Sequence, residues 1–174
     1  MLSLSGTAKT RAGDLLTSTP LNQSIRNILI MWSEAKEAIR KSSKDSAVYI
    51  GCDSLILANG KVDYSTVIVL HMNSKNGCRV FHKSVKQRDY GNMRARLMTE
   101  VQYALEAFHE IEEALGERKL EIHLDINPDP RYASNCVTAE AIGWVRSLGL
   151  VAKVKPESFA ATSAADHFVR HKSS

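Results

Sequence analysis

Four carboxylates stand out by the positions they occupy. Asp53 lies at the close of "AVYIGCDS", a short apolar run that starts at Ala47. Asp125 closes "EIHLDI", in which Ile122, Leu124 and Ile126 alternate with Glu121, His123 and Asp125. That period of two predicts a strand with one apolar and one polar face, and "NPDP" ends it because proline cannot continue a sheet ladder. An acid at such a place is either a turn-initiating residue or a ligand at the carboxyl edge of a sheet, where open α/β proteins bind. Glu100 lies roughly 60° from Leu97 around a helix, on the flank of its apolar stripe and able to look toward the sheet. Glu112 holds the opposite flank, roughly 18 Å further along. Asp166 reads first as helix chemistry, since Ser163-Ala164-Ala165-Asp166 matches a capping box.

The chemistry open to these acids depends on their meeting. Carboxylates that converge on one cleft repel each other, so they protonate or take up cations, and oxygen-only ligands favour Mg²⁺ or Mn²⁺ over zinc. Two such ions about 3.5–4 Å apart can activate a water and stabilise the leaving oxygen of a phosphodiester. Other side chains offer less. His167 and His171 have the i, i+4 spacing of a zinc pair but lack a nearby Glu or Cys partner. His167 is read instead as a proton shuttle at the cleft edge or as an exposed helix residue. Lys155 is placed to reach a substrate phosphate or to balance the acids, and is otherwise a solvated strand end. Ser54 either orients Asp53 or serves a turn.

The elements that must position these groups follow from the apolar spacing. Thr19-Pro20 predicts a helix start, and Ile25, Ile28, Leu29, Trp32 and Ile39 carry that helix to about residue 40. The run from Ala47 is a first strand. Asn59-Gly60 is a hairpin signal, "DYSTVIVLHM" a β-branched strand covered on both faces, "NSKNG" a second turn and "CRVFHKSV" a third strand. Met93, Leu97, Val101, Ala104, Leu105, Phe108, Ile111 and Leu115 then form one helical stripe. After the strand ending at Asp125 comes a helix bearing Val137, Ala141, Trp144, Val145 and Leu148, stopped by Gly149; "LVAKVKP" is a short fifth strand and "TSAADHFVRHK" a last helix. Hairpins first and helical crossovers later predict an α/β fold with a five-stranded mixed sheet, ordered β-β-β-α-β-α-β-α behind an N-terminal helix. Trp32 and Trp144 are expected in the core.

The 174 residues suit one domain with a substantial core. Residues 1–18, rich in Ser, Thr, Ala and Gly, read as a flexible tail, and residues 19–46 as a helix and linker. No apolar run approaches the roughly 20 residues of a bilayer span, and "MLSLSGTAKTRAGD" lacks an apolar secretory core, so a cytoplasmic protein without membrane partners is expected. Cys52, Cys78 and Cys136 are too far apart for a zinc ribbon and read as reduced thiols. The net charge of +4 permits a polyanion without requiring one. Its distribution is more informative. From Lys75 to Arg96 the chain carries Arg79, Lys83, Lys86, Arg88 and Arg94 against Asp89 alone, a stretch that would hold nucleic-acid phosphates or form a solvated face. Tyr64, Phe81 and Tyr90 lie near it and are candidates to stack on bases.

The order of strands, helices and acids resembles the ribonuclease H-like superfamily. Within it, "YIGCDS", "EIHLDINP" and "KPESFAATSAAD" are similar to the corresponding blocks of the YkuK-type ribonuclease H-like family, in the same order and over residues 47–171. The resemblance implies a ribonuclease H-like domain over residues 47–174, with Asp53, Glu100, Asp125 and Asp166 as catalytic ligands of Mg²⁺ or Mn²⁺. It makes Asp166 a ligand as well as a cap; His167, adjacent to it, is counted with the catalytic residues as the proton shuttle. Lys83, Lys86, Arg88, Arg94 and Lys155 are then expected to bind substrate. The implied activity is a divalent-metal-dependent nuclease acting on RNA, an RNA–DNA hybrid or structured DNA. A non-catalytic nucleic-acid-binding or assembly module on the same fold is the alternative, and a zinc hydrolase centred on His167 and His171 a third. Cys52 stands where the family pattern has a small hydroxyl residue, and "NPDPRYASN" departs from the pattern beside the cleft, which leaves substrate choice open.

Overall fold

The computed structural model describes residues 32–73, 77–89 and 91–165. The expected tail, the Thr19-Pro20 helix start, Tyr90, Asp166, His167 and His171 lie outside the described residues. Helix α1 is described over residues 32–41. Three strands follow, β1 (Ala47–Ile56), β2 (Lys61–His71) and β3 (Cys78–Arg88). Next come helix α2 (Met93–Leu115), strand β4 (Lys119–Leu124), a 3₁₀ turn (Ala133–Val137), helix α3 (Thr138–Ser147) and strand β5 (Val151–Lys153). A π-helical turn over Ala160–Ala165 completes the described chain.

The strands form one sheet in the order β3-β2-β1-β4-β5. β1, β2 and β3 pair antiparallel, while β4 runs parallel to β1 and β5 parallel to β4. This is the mixed sheet predicted from hairpins followed by crossovers. At the first hairpin Gly60 has φ of 72°, a conformation that suits the glycine of Asn59-Gly60. Asn92 caps α2 by accepting from the Ala95 N–H at 3.1 Å, and Gly149, at φ 73°, ends α3.

Alternation along the strands gives the sheet two unlike faces. Val48, Ile50 and Cys52 share rows with Leu120, Ile122 and Leu124 of β4 and with Leu70, Ile68 and Thr66 of β2. Onto this face pack Trp32 and Ile39 of α1, Leu97, Val101 and Ile111 of α2, and Val145 of α3, as one apolar core. Each such side chain contributes about 1.5–3 kcal/mol through burial. On the opposite face the π-helical turn packs over β1, β2 and β4, with Ala160 and Ala165 against Val67 and Val69. β2 is buried almost end to end because it lies between these layers.

Three expectations are corrected. Trp144 is 37% exposed, so only Trp32 is a core tryptophan. β5 is three residues long, with Lys155 N–H bonding the Ile126 carbonyl at 3.0 Å after the strand has ended. The last helical segment begins before Thr162: Thr162 N–H already bonds the Ser158 carbonyl at 3.0 Å. Ser163 is therefore inside a turn and cannot be the N-cap that the capping-box reading required.

Candidate acidic site

The pairing of β1 with β4 ends at Cys52 opposite Leu124, so Asp53 and Asp125 each stand one residue beyond the last paired position of adjacent parallel strands. Asp53 is not at the end of its strand, as its sequence context implied. β1 runs on to Ile56 against β2, and what ends beside Asp53 is the partnership with β4. A strand that separates from its neighbour leaves room between them, and the acids flank that opening.

Glu100 reaches the same end of the sheet from α2, although it is only 6% exposed. Ser54 connects it to β1: the Ser54 hydroxyl donates to Glu100 Oε1 at 2.5 Å, and the Ser54 N–H donates to Asp53 Oδ1 at 2.7 Å. Burial pushes the Glu100 carboxyl well above the usual carboxylate range; the Ser54 bond opposes this, while Asp53 and Asp125 push it further up. Asp125 is held from two sides, by Lys155 Nζ at 2.9 Å and by the Thr162 hydroxyl, which donates to Oδ1 at 2.9 Å. Glu100 and Asp125 line one narrow recess, too tight to admit a water molecule, with Cys52, Leu97, His123 and Leu124. A roomier, more open depression of about 360 Å³ beside it is lined by Asn127, Lys155, Pro156 and Thr162.

The donor chemistry of Asp53, Glu100 and Asp125 fits a hard divalent cation, which would offset the charge that burial and mutual repulsion disfavour on Glu100. Among the described residues no group of three or more Asp, Glu, His or Cys side chains converges closely enough to hold a metal ion. Glu100 is turned to Ser54, and Asp125 to Lys155 and Thr162. Cys52 is no nucleophile: burial pushes its thiol well up, and Glu100 adds to the effect.

The basic stretch does not gather on one side but is divided between the two faces of the sheet. Lys83 is paired opposite Thr66, in the row of Cys52, and lines a groove with Trp32 and Tyr103 on the helix-covered face. Lys86 and Arg88 project from the other face, with Lys86 3.8 Å from the buried Asp63. Arg94 is committed elsewhere, to Glu140 and to the Cys136 carbonyl at the start of α3. Of the aromatics named for stacking, Tyr64 and Phe81 are 5% and 6% exposed and so cannot meet a base face-on. Lys155 is the expected substrate contact that lies against an acid of the site.

Sequence reasoning missed His123. It reads there as part of a polar strand face, yet it is 1% exposed beneath the π-helical turn, with Glu121 buried beside it. The available signal was the small-residue run "AATSAA", which can pack closely on a strand face and bury whatever polar groups that face carries. Tyr132, 54% exposed, was also overlooked. It sits in a loop fixed by Asp129, which bonds the Arg131 N–H at 2.9 Å and its guanidinium, and by Asn135, which bonds the Pro128 carbonyl at 2.5 Å.

A five-stranded mixed sheet with acids flanking the divergence of its central parallel pair, and a third acid supplied by the first crossover helix, defines a ribonuclease H-like domain. The family model for Ribonuclease H-like proteins matches residues 30–170, and the chain belongs to that family. No curated protein and no solved structure matches the chain. Among the described residues no helix is long and apolar enough to cross a membrane.

Proposed function

We propose that the protein is a divalent-metal-dependent nuclease of the YkuK type, hydrolysing phosphodiester bonds of RNA, an RNA–DNA hybrid or structured DNA. The observation that carries this reading is the joining of Asp53 and Glu100 through Ser54 at the point where β1 leaves β4, with Asp125 lining the same recess as Glu100. Asp53, Glu100 and Asp125 would hold Mg²⁺ or Mn²⁺, with Asp166 completing the set; when bound, the ions supply an activated water and stabilise the leaving oxygen. Ser54 fixes the directions of two of the acids. Lys155 pairs with Asp125 at 2.9 Å and offers an ammonium to a substrate phosphate. Thr162 fixes which Asp125 oxygen is engaged. His167 is assigned to proton transfer.

The test is cleavage of labelled single-stranded RNA, RNA–DNA hybrid and branched DNA, with Mg²⁺ or Mn²⁺, by the wild type beside Asp53→Asn and Asp125→Asn. Cation-dependent cleavage of at least one substrate, lost in both variants, is expected. A second reading draws on the Lys155–Asp125 ion pair, which neutralises one acid without a cation: a non-catalytic nucleic-acid-binding module in the cytoplasm. Binding of the same substrates that is indifferent to divalent ions, with every substrate left intact, would establish that reading instead.

A further inference from the structure

The imidazole of His123 joins the sheet to the turn that carries Thr162. Its Nδ1 lies 3.1 Å from the Ala160 backbone N–H, and a backbone amide can only donate. Nδ1 therefore accepts and carries no proton, so in the neutral ring the hydrogen is on Nε2. That hydrogen points to Glu121 Oε2, 3.3 Å away, while Lys119 Nζ stands 2.9 Å from the other oxygen. The rings of Tyr49 and Phe159, with centroids 5.2 Å and 4.7 Å from the imidazole, fix its plane. The contact matters to the turn because the first amides of any helical segment have no partner within it, and Ala160 is fully buried. Without His123 that amide would be unpaired in the interior, and the turn would have to move to find water. Two residues further on, Thr162 reaches Asp125.

We propose that His123 is a positioning residue for the acidic site: ringed by Tyr49 and Phe159 and protonated on Nε2, it pins the Ala160–Ala165 turn to β4 and so holds Thr162 on Asp125. The consequence for cation binding rests on Asp125 being a ligand, as argued for the proposed function; the pinning of the turn does not.

The two are separated by substitutions that imitate one ring nitrogen each. His123→Asn sets an amide oxygen near the place of Nδ1 and keeps an acceptor for Ala160, whereas His123→Gln sets its polar head near Nε2 and leaves that amide unpaired. In the full chain, long-range ¹H–¹⁵N spectra of the wild type should show the Nε2–H tautomer alone. Exchange of the Ala160 amide should be at least about tenfold faster in His123→Gln than in wild type, and close to wild type in His123→Asn. Mn²⁺ affinity by calorimetry should fall about 10–100-fold in both His123→Gln and Thr162→Val and recover in His123→Asn. A proton on Nδ1 in the wild type overturns the proposal even if His123→Gln does not fold, and so does equal behaviour of the Gln and Asn variants. Wild type that binds no Mn²⁺, with the exchange pattern as expected, would reject the cation reading and leave the pinning of the turn established.

Discussion

At the scale of single residues, Glu100 shows how the site opposes the stability of the fold that contains it. Burial, reinforced by Asp53 and Asp125 against the Ser54 hydrogen bond, raises the pKa of its carboxyl in the folded protein. The native state thus retains a proton that the unfolded chain gives up above about pH 4.3, and stability falls as pH rises from there toward the folded pKa. Glu100→Gln removes a charge that is disfavoured there and keeps the acceptor for Ser54. In cation-free buffer at neutral pH its melting temperature should exceed that of wild type by at least about 2 °C, with the gap closing near pH 4. A variant that melts lower than wild type at neutral pH would show that Glu100 is not strained by its surroundings. Asp53, Asp125 and Glu100 were legible because strand ends and a helical stripe mark positions along the chain. Their partners were not. That Ser54 would turn its hydroxyl to Glu100 and Thr162 to Asp125 depends on how segments distant in sequence approach each other, which no local period records.

At the scale of elements, α2 carries Glu100 and depends on its cap. Asn92 satisfies the Ala95 amide at the start of the helix, while Glu100 lies two turns inside and is fixed independently by Ser54. Asn92→Ala should therefore cost about 0.5–2 kcal/mol in urea unfolding and leave divalent cation affinity unchanged in calorimetry; a parallel loss of affinity would mean that the helix end and the site move together. α2 was readable from its eight-position apolar stripe, and β2 from a β-branched run that needed cover on both sides. The segment after β5 was misread because a capping-box pattern at Ser163 outweighed a weaker fact, that "AATSAA" has no side chain large enough to keep a turn from starting earlier. Close packing against Val67 and Val69 then decided the matter.

At the scale of the whole molecule, the sheet separates two surfaces that sequence proximity had merged. Strand alternation places Lys86 and Arg88 on the face of the sheet that carries Asp53, and Lys83 on the face that carries the helices. If nucleic acid lies across the acidic site, the Lys86→Ala/Arg88→Ala double variant should weaken binding and reduce the slope of log affinity against log salt by about 1–2, while Lys83→Ala should change neither. Equal losses from both variants would place the substrate elsewhere. The strand order was readable for a simple reason: hairpin turns and helical crossovers each permit few connections. The assignment of charges to faces was not, since it needs the register, and a shift of one residue would exchange the faces. The central proposal, that a divalent cation draws Asp53, Glu100 and Asp125 together as its ligands, is tested most directly by calorimetric titration of Mn²⁺ into wild type and into Asp125→Asn. The account predicts binding by wild type that Asp125→Asn weakens by at least about 10-fold. Equal affinity in the two proteins, or no heat of binding in either, would contradict it.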